Sequence, residues 1–258
     1  MGFKNVILKK RIVEKKLVIG SWLQIPNVFT AEIMAKSGFD WLAIDMEHGL
    51  IDLASAYNLI QTVELAGTVP LVRLNDNNPS TIRRVMDAGA AGVIIPMINS
   101  PREARGAVES VKYPPLGRRS YGLGRAHQFG ENFQNYTKSI NNASIVILQI
   151  EHILAVNNLS EILKVKGIDG IIIGPYDLSG SIGIPGRFDD KEFKKIIREI
   201  IEKVQDSNIA LGIHIVHPSE KTLKERISQG FRLIGYGMDT IYLSDYARKA
   251  LQDIKKSK

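Results

Sequence analysis

The chain has 258 residues, of which 44% are hydrophobic and 24% charged, so it can bury a large core as an ordinary globular protein. It contains no cysteine, which excludes disulfides, thiolate metal ligands and cysteine nucleophiles. The formal charge of +7 raises the possibility of an anionic partner. However, much of the excess lies near the two ends and no basic stripe interleaves with aromatics, so nucleic-acid binding is not expected.

The sequence also argues against a membrane or secreted location. The first residues are charged throughout and lack the apolar segment of a secretory signal. No apolar stretch approaches the roughly 20 residues that span a bilayer. We therefore expect a soluble cytoplasmic protein without a membrane partner.

A regular alternation of elements follows a short amphipathic helix predicted at Phe3–Val13. Eight apolar runs of four to seven residues are predicted to be strands: Leu17–Trp22, Trp41–Ile44, Val69–Leu74, Gly92–Met97, Ile145–Ile150, Ile168–Ile173, Ile209–Ile215 and Phe231–Tyr236. Helices are predicted between them at Ala31–Ser37, Leu53–Ala66, Asn158–Val165, Asp190–Asp206, Glu220–Gln229 and Tyr242–Lys255, and after the caps Asn78-Pro79 and Ser100-Pro101.

Eight apolar strands that alternate with helices indicate parallel strands covered on the outside. This count favours an α/β protein with a closed (β/α)8 TIM barrel, formed as a single domain over residues 1–258 with a short N-terminal helix. A doubly wound open sheet is the alternative. The segment from Pro101 to Asn142 is too long to serve only as a link between two elements.

Two carboxylates stand at the exits of neighbouring predicted strands. The run that ends at Ile150 is followed by Glu151, and the run that ends at Ile173 is followed by Gly174-Pro175 and then Asp177. Both could offer oxygens to one Mg²⁺ or Mn²⁺ ion with positions left open for water and substrate. In the alternative reading, Asp177 only caps the next turn and Glu151 pairs with a surface cation.

Further polar side chains follow other strands, where barrel active sites lie. His48 is a candidate general base oriented by an acid such as Asp45, or else a loop histidine bonded to a neighbouring carboxylate. Arg73 lies within an apolar run, where burial of a guanidinium is costly without an anion, so an anion-binding or charge-stabilising role is predicted. Trp22 is core or pocket wall.

The loop after the sixth strand has its own candidate role. Gly174-Pro175 is either a simple turn or a place where free backbone N–H groups bind a small carboxylate. All five histidines, His48, His127, His152, His214 and His217, fall at predicted strand ends or in the following loops, which favours an acidic or heavily hydroxylated substrate.

An ordered set of motifs between about Gly20 and Asp239 resembles one enzyme family. The motifs are GSW at Gly20–Trp22, GFDWLAIDMEHG at Gly38–Gly49, VRLND at Val72–Asp76, MDAGAAGVIIPM at Met86–Met97, YPPLGRRSYG at Tyr113–Gly122, LQIE at Leu148–Glu151 and GPYDLS at Gly174–Ser179. This set resembles the HpcH/HpaI aldolases, which are metal-dependent 2-keto-3-deoxy acid aldolases of the phosphoenolpyruvate/pyruvate barrel superfamily.

The resemblance implies a role for each matching residue. His48 would be the acid/base, Arg73 would stabilise an enolate, and Asp87 would support the basicity of the histidine. Glu151 and Asp177 would hold Mg²⁺, Mn²⁺ or Co²⁺. Gln149 and the backbone at Tyr176 would contact the pyruvate part of the substrate. A homo-oligomer, a hexamer with sites near subunit boundaries, is also implied.

Four residues depart from the family pattern and leave the substrate open. His152 follows the metal glutamate where Thr or Ser is usual, and Tyr176 replaces a smaller residue. His214 stands where an aliphatic residue often lines the aldehyde side, and Ser120 replaces a glycine. The metal and enolate residues are all present.

The sequence thus predicts a class II aldolase that cleaves 4-hydroxy-2-oxo (2-keto-3-deoxy) acids to pyruvate and an aldehyde. No lysine lies inside or at the exit of a predicted strand, which argues against a Schiff base. Two alternatives stay open: another pyruvate-enolate reaction on the same barrel, such as a CoA-ester lyase or a decarboxylase, and a barrel that only binds anions.

Overall fold

A computed structural model describes residues 3–256 and contains a closed barrel of eight parallel strands in chain order. The strands are β1 Val18–Leu23, β2 Trp41–Asp45, β3 Val69–Arg73, β4 Gly92–Ile95, β5 Ile145–Ile150, β6 Gly170–Ile173, β7 Ala210–Ile215 and β8 Leu233–Met238. Each strand pairs with the next, and β8 pairs with β1. The predicted (β/α)8 barrel is confirmed, whereas the extent of the domain stays a prediction, since residues 1–2 and 257–258 lie outside the described part.

Helices cover the barrel and connect its strands. They are α1 Phe3–Val13, α2 Val28–Ala35, α3 Leu53–Leu65, α4 Pro79–Ala88, α5 Pro101–Val111, α6 Phe133–Ala143, α7 Ile153–Asn157, α8 Leu159–Ile162, α9 Pro175–Ser181, α10 Lys191–Gln205, α11 Glu220–Ser228 and α12 Asp239–Lys256, with a 3-10 helix at Arg125–Gly130. The segment after α5 therefore carries two further helices, as its length suggested. Within residues 3–256, no helix combines the length and apolarity needed to cross a bilayer.

Local sequence signals explain most helix starts. Asn78 accepts a hydrogen bond from the backbone N–H of Ser80, with Pro79 in the first turn of α4. Ser100 caps α5 by accepting from the N–H of Glu103, but the carboxylate of Glu103 returns to the N–H of Asn99 at 2.7 Å. The predicted capping box therefore closes one residue earlier than its usual pattern.

Several element boundaries differ from prediction by one to three residues, and tertiary contacts explain the start of β6. Strand β6 begins at Gly170 and not at Ile168, since the carboxylate of Asp169 accepts from the N–H of Val146 and binds Lys9 at 2.6 Å. The predicted helix at Asn158–Val165 is replaced by the two short helices α7 and α8.

The core has two layers on either side of the barrel wall. The larger layer lies between strands and helices; one example is α10, which buries Phe193, Ile196 and Ile200 at helical spacing. The smaller layer fills the barrel interior with alternate strand residues such as Trp41 and Ile172. Helix α1 adds Leu8 and Ile12 to this inner layer and so closes the end of the barrel opposite the strand exits.

Gly20 in β1 generates a stability prediction. A Cβ atom at this position would overlap the ring of Trp41 in the inner layer. We expect Gly20→Ala to lower the free energy of unfolding by about 1–3 kcal/mol, because the indole must move within a packed core. A Cβ at Gly106 in α5 meets nothing within 4 Å, so Gly106→Ala should raise stability by up to about 1 kcal/mol. Urea unfolding of both variants tests this, and equal stabilities would contradict it.

Candidate active site

The period of two along a strand brings the predicted polar residues to one end of the barrel interior. In β2, Trp41 and Ala43 belong to the inner layer, so Asp45 at the carboxyl end also faces inward. The same alternation turns Arg73, Gln149 and His214 inward at the tops of β3, β5 and β7. These side chains meet because parallel strands end together.

A cavity of about 230 Å³ opens at this end of the barrel. Its lining comprises Trp22, Gln24, His48, Arg73, Gln149, Ile172, Ile173, Gly174, Pro175, Tyr176, Asp177, His214, Val216 and Met238. Of the predicted site residues, only Asp45, Asp87 and Glu151 are not part of the lining. A larger cavity of about 430 Å³ lies against Glu64 and Arg125 on the outside of the barrel and contains none of the predicted residues. The chemistry therefore favours the smaller cavity.

A buried ion pair forms the floor of the site. Nε of Arg73 donates to Oδ1 of Asp45 at 2.8 Å, and Nη2 donates to Oδ2 at 2.6 Å. Asp45 also accepts from Nε2 of Gln24 at 2.8 Å. Burial alone would raise the pKa of Asp45, but the hydrogen bonds and charge of Arg73 hold that pKa below its ordinary value. Asp45 is therefore an ionised partner that fixes the guanidinium.

Two more contacts complete the environment of Arg73. Its Nη1 lies 3.1 Å from a carboxylate oxygen of Glu47, and its Cζ lies 4.5 Å from the ring centroid of Trp22. The guanidinium has five N–H groups. The carboxylates of Asp45 and Glu47 together engage three of them. The remaining donors leave Arg73 able to bind an anionic group in the cavity.

Carboxylates crowd the opposite side of the site. Glu151 is 2% exposed, accepts from the N–H of Met97 at 2.7 Å, and receives a short hydrogen bond from Nε2 of Gln149. Burial raises the pKa of Glu151, and the charge of Asp177 adds to this. Asp177 is exposed in the first turn of α9.

Glu47 shares this unfavourable environment. Burial, together with the charges of Glu151, Asp45 and Asp177, raises the pKa of Glu47 to about 7 in spite of the nearby Arg73. Negative charge is therefore incompletely balanced at this side of the cavity.

This arrangement fits a hard divalent cation. The donors are carboxylate oxygens. Burial, with repulsion between the carboxylates as a smaller cause, raises the pKa of Glu47 and Glu151, and a cation between them would favour their charged forms. Among residues 3–256, no group of three or more histidine and carboxylate side chains forms a closed metal cage. Two protein carboxylates, Glu151 and Asp177, would leave most coordination positions to water and substrate, as suits Mg²⁺.

His48 lies at the rim of the cavity and is exposed. Its backbone N–H donates to Asp45 at 3.2 Å, whereas the nearest carboxylate to its ring is that of Glu47, 4.0 Å from Nε2. Asp45 therefore holds the backbone of His48 and not its imidazole, which differs from the orienting contact that the sequence suggested.

Asp87 lies away from the cavity, in α4. Its carboxylate accepts from Nη2 of Arg119 at 2.5 Å. Arg119 in turn lies over the ring of Tyr113, with Cζ 4.6 Å from the centroid. Within this chain Asp87 is part of a cluster outside the barrel wall, and its predicted action on His48 stays a prediction.

The sequence placed all five histidines at strand ends or in the following loops, but the structure does not bring them together at the site. His127 is fully buried beside Tyr113, whose hydroxyl lies 2.9 Å from its Nε2. His152 caps α7 through Nδ1, which accepts from the N–H of Leu154 at 3.1 Å, so it replaces the capping oxygen of Thr or Ser. His217 is exposed near Asp245. Only His48 and His214 line the cavity.

The sequence reading missed two residues of the site, Glu47 and Gln24. Glu47 stands between Asp45 and His48 in the polar run after β2, and the density of ionisable residues there was the available signal. Gln24 comes directly after β1 and binds Asp45 through its amide nitrogen. A glutamine after a strand carries no comparable sequence signal.

Comparison with known proteins identifies the family. The model of the family described as HpcH/HpaI aldolase/citrate lyase matches residues 19–245. The chain belongs to this family. A 2-keto-3-deoxy-L-rhamnonate aldolase from Escherichia coli is 34% identical over 252 residues, which cover 97% of this chain and 93% of the relative. The predicted family and the predicted class of enzyme, an aldolase, are thereby confirmed.

Two solved structures share the whole architecture. A family protein from Burkholderia cenocepacia matches with a TM-score of 0.92 at 28% identity, over 97% of this chain and 99% of that one. The citrate synthase SbnG matches with a TM-score of 0.86 at 27% identity, over 97% of this chain and 98% of that one.

The raised pKa of Glu47 predicts a pH effect on the metal-free protein. The folded state keeps this carboxyl protonated up to about pH 7, while the unfolded state ionises near its ordinary value of 4.5. Stability should therefore fall as pH rises from 4.5 to 7, by up to about 3 kcal/mol from this group. In Glu47→Gln this loss should be absent.

Melting temperatures between pH 4.5 and 8, with chelator present, measure the effect. Glu161→Gln, which changes an exposed glutamate paired with Lys164, is the matched control and should behave as the parent does. Identical pH profiles for the parent and Glu47→Gln would contradict the assignment of this carboxyl.

Proposed function

We propose that this protein is a class II aldolase that cleaves 4-hydroxy-2-oxo acids, of the 2-keto-3-deoxy type, into pyruvate and an aldehyde. The observation that carries the proposal is the juxtaposition in one cavity of a buried, fixed cation, Arg73, with the incompletely balanced carboxylates Glu151 and Asp177. The name of the Escherichia coli relative supports the substrate class.

A divalent cation, Mg²⁺, Mn²⁺ or Co²⁺, would be held by Glu151 and Asp177. When bound, it supplies a Lewis acid for the 2-oxo and carboxylate oxygens of the substrate. Gln149, which donates to Glu151, orients that carboxylate from inside the barrel. The backbone N–H groups after Gly174 and Pro175 offer donors to the substrate carboxylate.

Arg73 stabilises the negative charge that develops on the 2-oxo oxygen as the C3–C4 bond breaks. Its guanidinium is fixed in advance by Asp45 and Glu47, so it need not reorganise during the reaction. Its burial strengthens the interaction, because little water screens the charge.

His48 takes the proton of the C4 hydroxyl group in the cleavage direction. It lies at the rim, in contact with solvent, where a proton can be passed to or from water. Asp87 supports its basicity in this proposal. Because Asp87 pairs with Arg119 in its own chain, the support requires an arrangement of subunits that brings Asp87 towards a His48.

A homo-oligomer, a hexamer by family resemblance, is part of the proposal. Large apolar side chains are exposed on α2 at Phe29 and Ile33, and on α12 at Leu243, Tyr246 and Leu251. Exposed apolar groups of this extent are typical of subunit contacts. We further propose a cytoplasmic protein that binds small molecules and neither nucleic acid nor membrane.

A second candidate function is another carbon–carbon bond reaction of a pyruvate-type enolate. The similarity to the citrate synthase SbnG favours it, since that relative shares the barrel over nearly its whole length. A CoA-ester lyase or a decarboxylase belongs to the same class of alternatives. A barrel that binds anions without turnover is less consistent with the joint presence of His48, Arg73, Glu151 and Asp177 around one cavity.

The first functional prediction concerns the metal. Protein treated with a chelator should be inactive and should recover with Mg²⁺, Mn²⁺ or Co²⁺, because the cation that Glu151 and Asp177 would hold supplies the Lewis acid of the proposed reaction. Asp177→Ala should stay inactive after metal is added. Asp189→Ala removes an exposed carboxylate paired with Lys194 and is the control. Full activity of chelated protein, or of Asp177→Ala, would refute the proposal.

The second functional prediction isolates the enolate step and requires no knowledge of the aldehyde. Metal-loaded protein should exchange the methyl protons of pyruvate with deuterium from solvent, as followed by proton NMR. Arg73→Ala should slow the exchange by roughly 10²–10³-fold, as loss of an oxyanion donor does. His48→Ala should remove the pH dependence near neutrality.

A control with free metal and no protein sets the background of this experiment. Exchange by the wild-type protein no faster than that background would favour the anion-binding alternative over any enolate chemistry. Exchange without cleavage of 4-hydroxy-2-oxo acids would instead favour another enolate reaction on the same barrel.

A further inference from the structure

His214 is an unusual residue for the inner wall of this cavity. It occupies the inward position at the top of β7, where it is paired in register with Gly235 of β8. A Cβ at residue 235 would lie 3.4 Å from Cδ2 of His214 and 2.9 Å from Nε1 of Trp22. The glycine therefore makes room for the two aromatic rings, whose centroids lie 5.2 Å apart.

One nitrogen of the His214 ring has a fixed partner. Nε2 lies 3.3 Å from the carbonyl oxygen of Gly237, which can only accept a hydrogen bond. Nε2 must therefore carry the hydrogen, and the neutral ring then keeps a lone pair on Nδ1. Burial, with the positive charge of Arg73 as a second cause, lowers the pKa of His214 to about 3, so the ring stays neutral at working pH.

The other nitrogen, Nδ1, is an acceptor that no side chain of the described residues binds. Among the side chains of the described residues, no donor lies within hydrogen-bonding distance of this atom. It is also not sealed inside the protein, unlike Nε1 of Trp22 beside it and Nδ1 of His127 in the outer cluster. Since His214 lines the cavity, Nδ1 is open to whatever fills the cavity.

The apolar residues and the arginine of the lining offer no free acceptor. Trp22, Val216 and Met238 present apolar surface, and Arg73 presents only donors. Gln24 already donates to Asp45 and accepts from the hydroxyl of Thr240 at 3.3 Å. A substrate with an O–H group towards this wall would be satisfied by His214, while a methyl group in the same place would leave Nδ1 without its hydrogen bond.

We infer that Nδ1 of His214 accepts a hydrogen bond from a hydroxyl group of the substrate and so selects hydroxylated substrates over those that carry a methyl group at the same place. The inference rests on the proposed aldolase function and names a specificity residue for it. The hydroxyl can belong to the α-carbon of the aldehyde, or to C3 of a 2-oxo acid that takes the place of pyruvate as the source of the enolate.

Two matched pairs of substrates show which reactant carries the hydroxyl group that His214 binds. One pair varies the 2-oxo acid and the other varies the aldehyde, and within each pair a hydroxyl group is replaced by a methyl group. For the 2-oxo acid, 3-hydroxypyruvate is compared with 2-oxobutanoate by deuterium exchange of the C3 protons. For the aldehyde, glycolaldehyde is compared with propanal in condensation with pyruvate. The measured quantity is the ratio of kcat/KM for the hydroxylated member to that for the methyl member, with metal-loaded protein.

In one of the two substrate pairs, we expect the kcat/KM ratio of the wild type to exceed that of His214→Leu by about tenfold. This is the effect expected from the loss of one desolvated hydrogen bond. His214→Asn, which retains an acceptor oxygen on a smaller side chain, should keep part of the preference. His217→Leu changes the exposed histidine that follows β7 and should show the wild-type ratio.

Equal ratios in the wild type and His214→Leu for both substrate pairs would overturn the inference. In that case, exchange of the methyl protons of pyruvate by the same preparations would leave the aldolase proposal intact. Thermal melting of each variant shows whether it is folded, and His214→Asn supplies the comparison if His214→Leu is not. Absence of pyruvate exchange in the wild type would overturn the proposed function and this inference with it.

Discussion

The buried pair of Arg73 and Asp45 is the interaction on which the rest of the site depends. Both side chains are taken out of water at the top of the barrel, with Asp45 fully buried and Arg73 7% exposed. Such a pair is stable only if the remaining donors and acceptors are also satisfied. Here Gln24 and the backbone N–H groups of Glu47 and His48 satisfy Asp45. The pair thus fixes the loop that carries His48 as well as the guanidinium.

The site has two halves of opposite electrostatic character. Around Arg73, opposite charges are matched and hydrogen bonds lower the pKa of Asp45. Around Glu151, like charges accumulate, and burial raises the pKa of Glu151 and of Glu47, which lies at the border between the halves. A cation and a dianionic or enolate-like ligand are the species that would balance such a distribution. The geometry and the proposed chemistry therefore have the same electrostatic basis.

A second polar cluster lies outside the barrel wall and has a different character. Asp87 of α4 forms an ion pair with Arg119, which lies beside Tyr113, Tyr136 and His127 in the segment between β4 and β5. The side chains of Arg119, Tyr113, Tyr136 and His127 are buried against one another, which indicates a packed structural unit. The length of this segment is explained by that unit, since it supports α4 from outside.

The sequence by itself determined the elements whose signals are local. Runs of apolar residues and proline caps indicated eight strands with intervening helices. Glu151 and Asp177 were predicted as a pair because Glu151 directly follows one strand and Asp177 lies in the loop after the next, and the carboxyl ends of all strands in a parallel barrel lie on one side. None of this required knowledge of contacts between distant residues.

Only the tertiary structure decided which polar groups pair with one another. Asp45 and Arg73 are 28 residues apart along the chain but occupy paired positions in β2 and β3, so the carboxylate binds the arginine and not the ring of the nearby His48. Asp87 likewise pairs with Arg119, which is 32 residues away along the chain, because the segment after α5 packs against α4. A hydrogen bond depends on distances of a few tenths of an ångström and on burial, which arise from cross-strand register and packing and are not encoded in any local pattern of residue types.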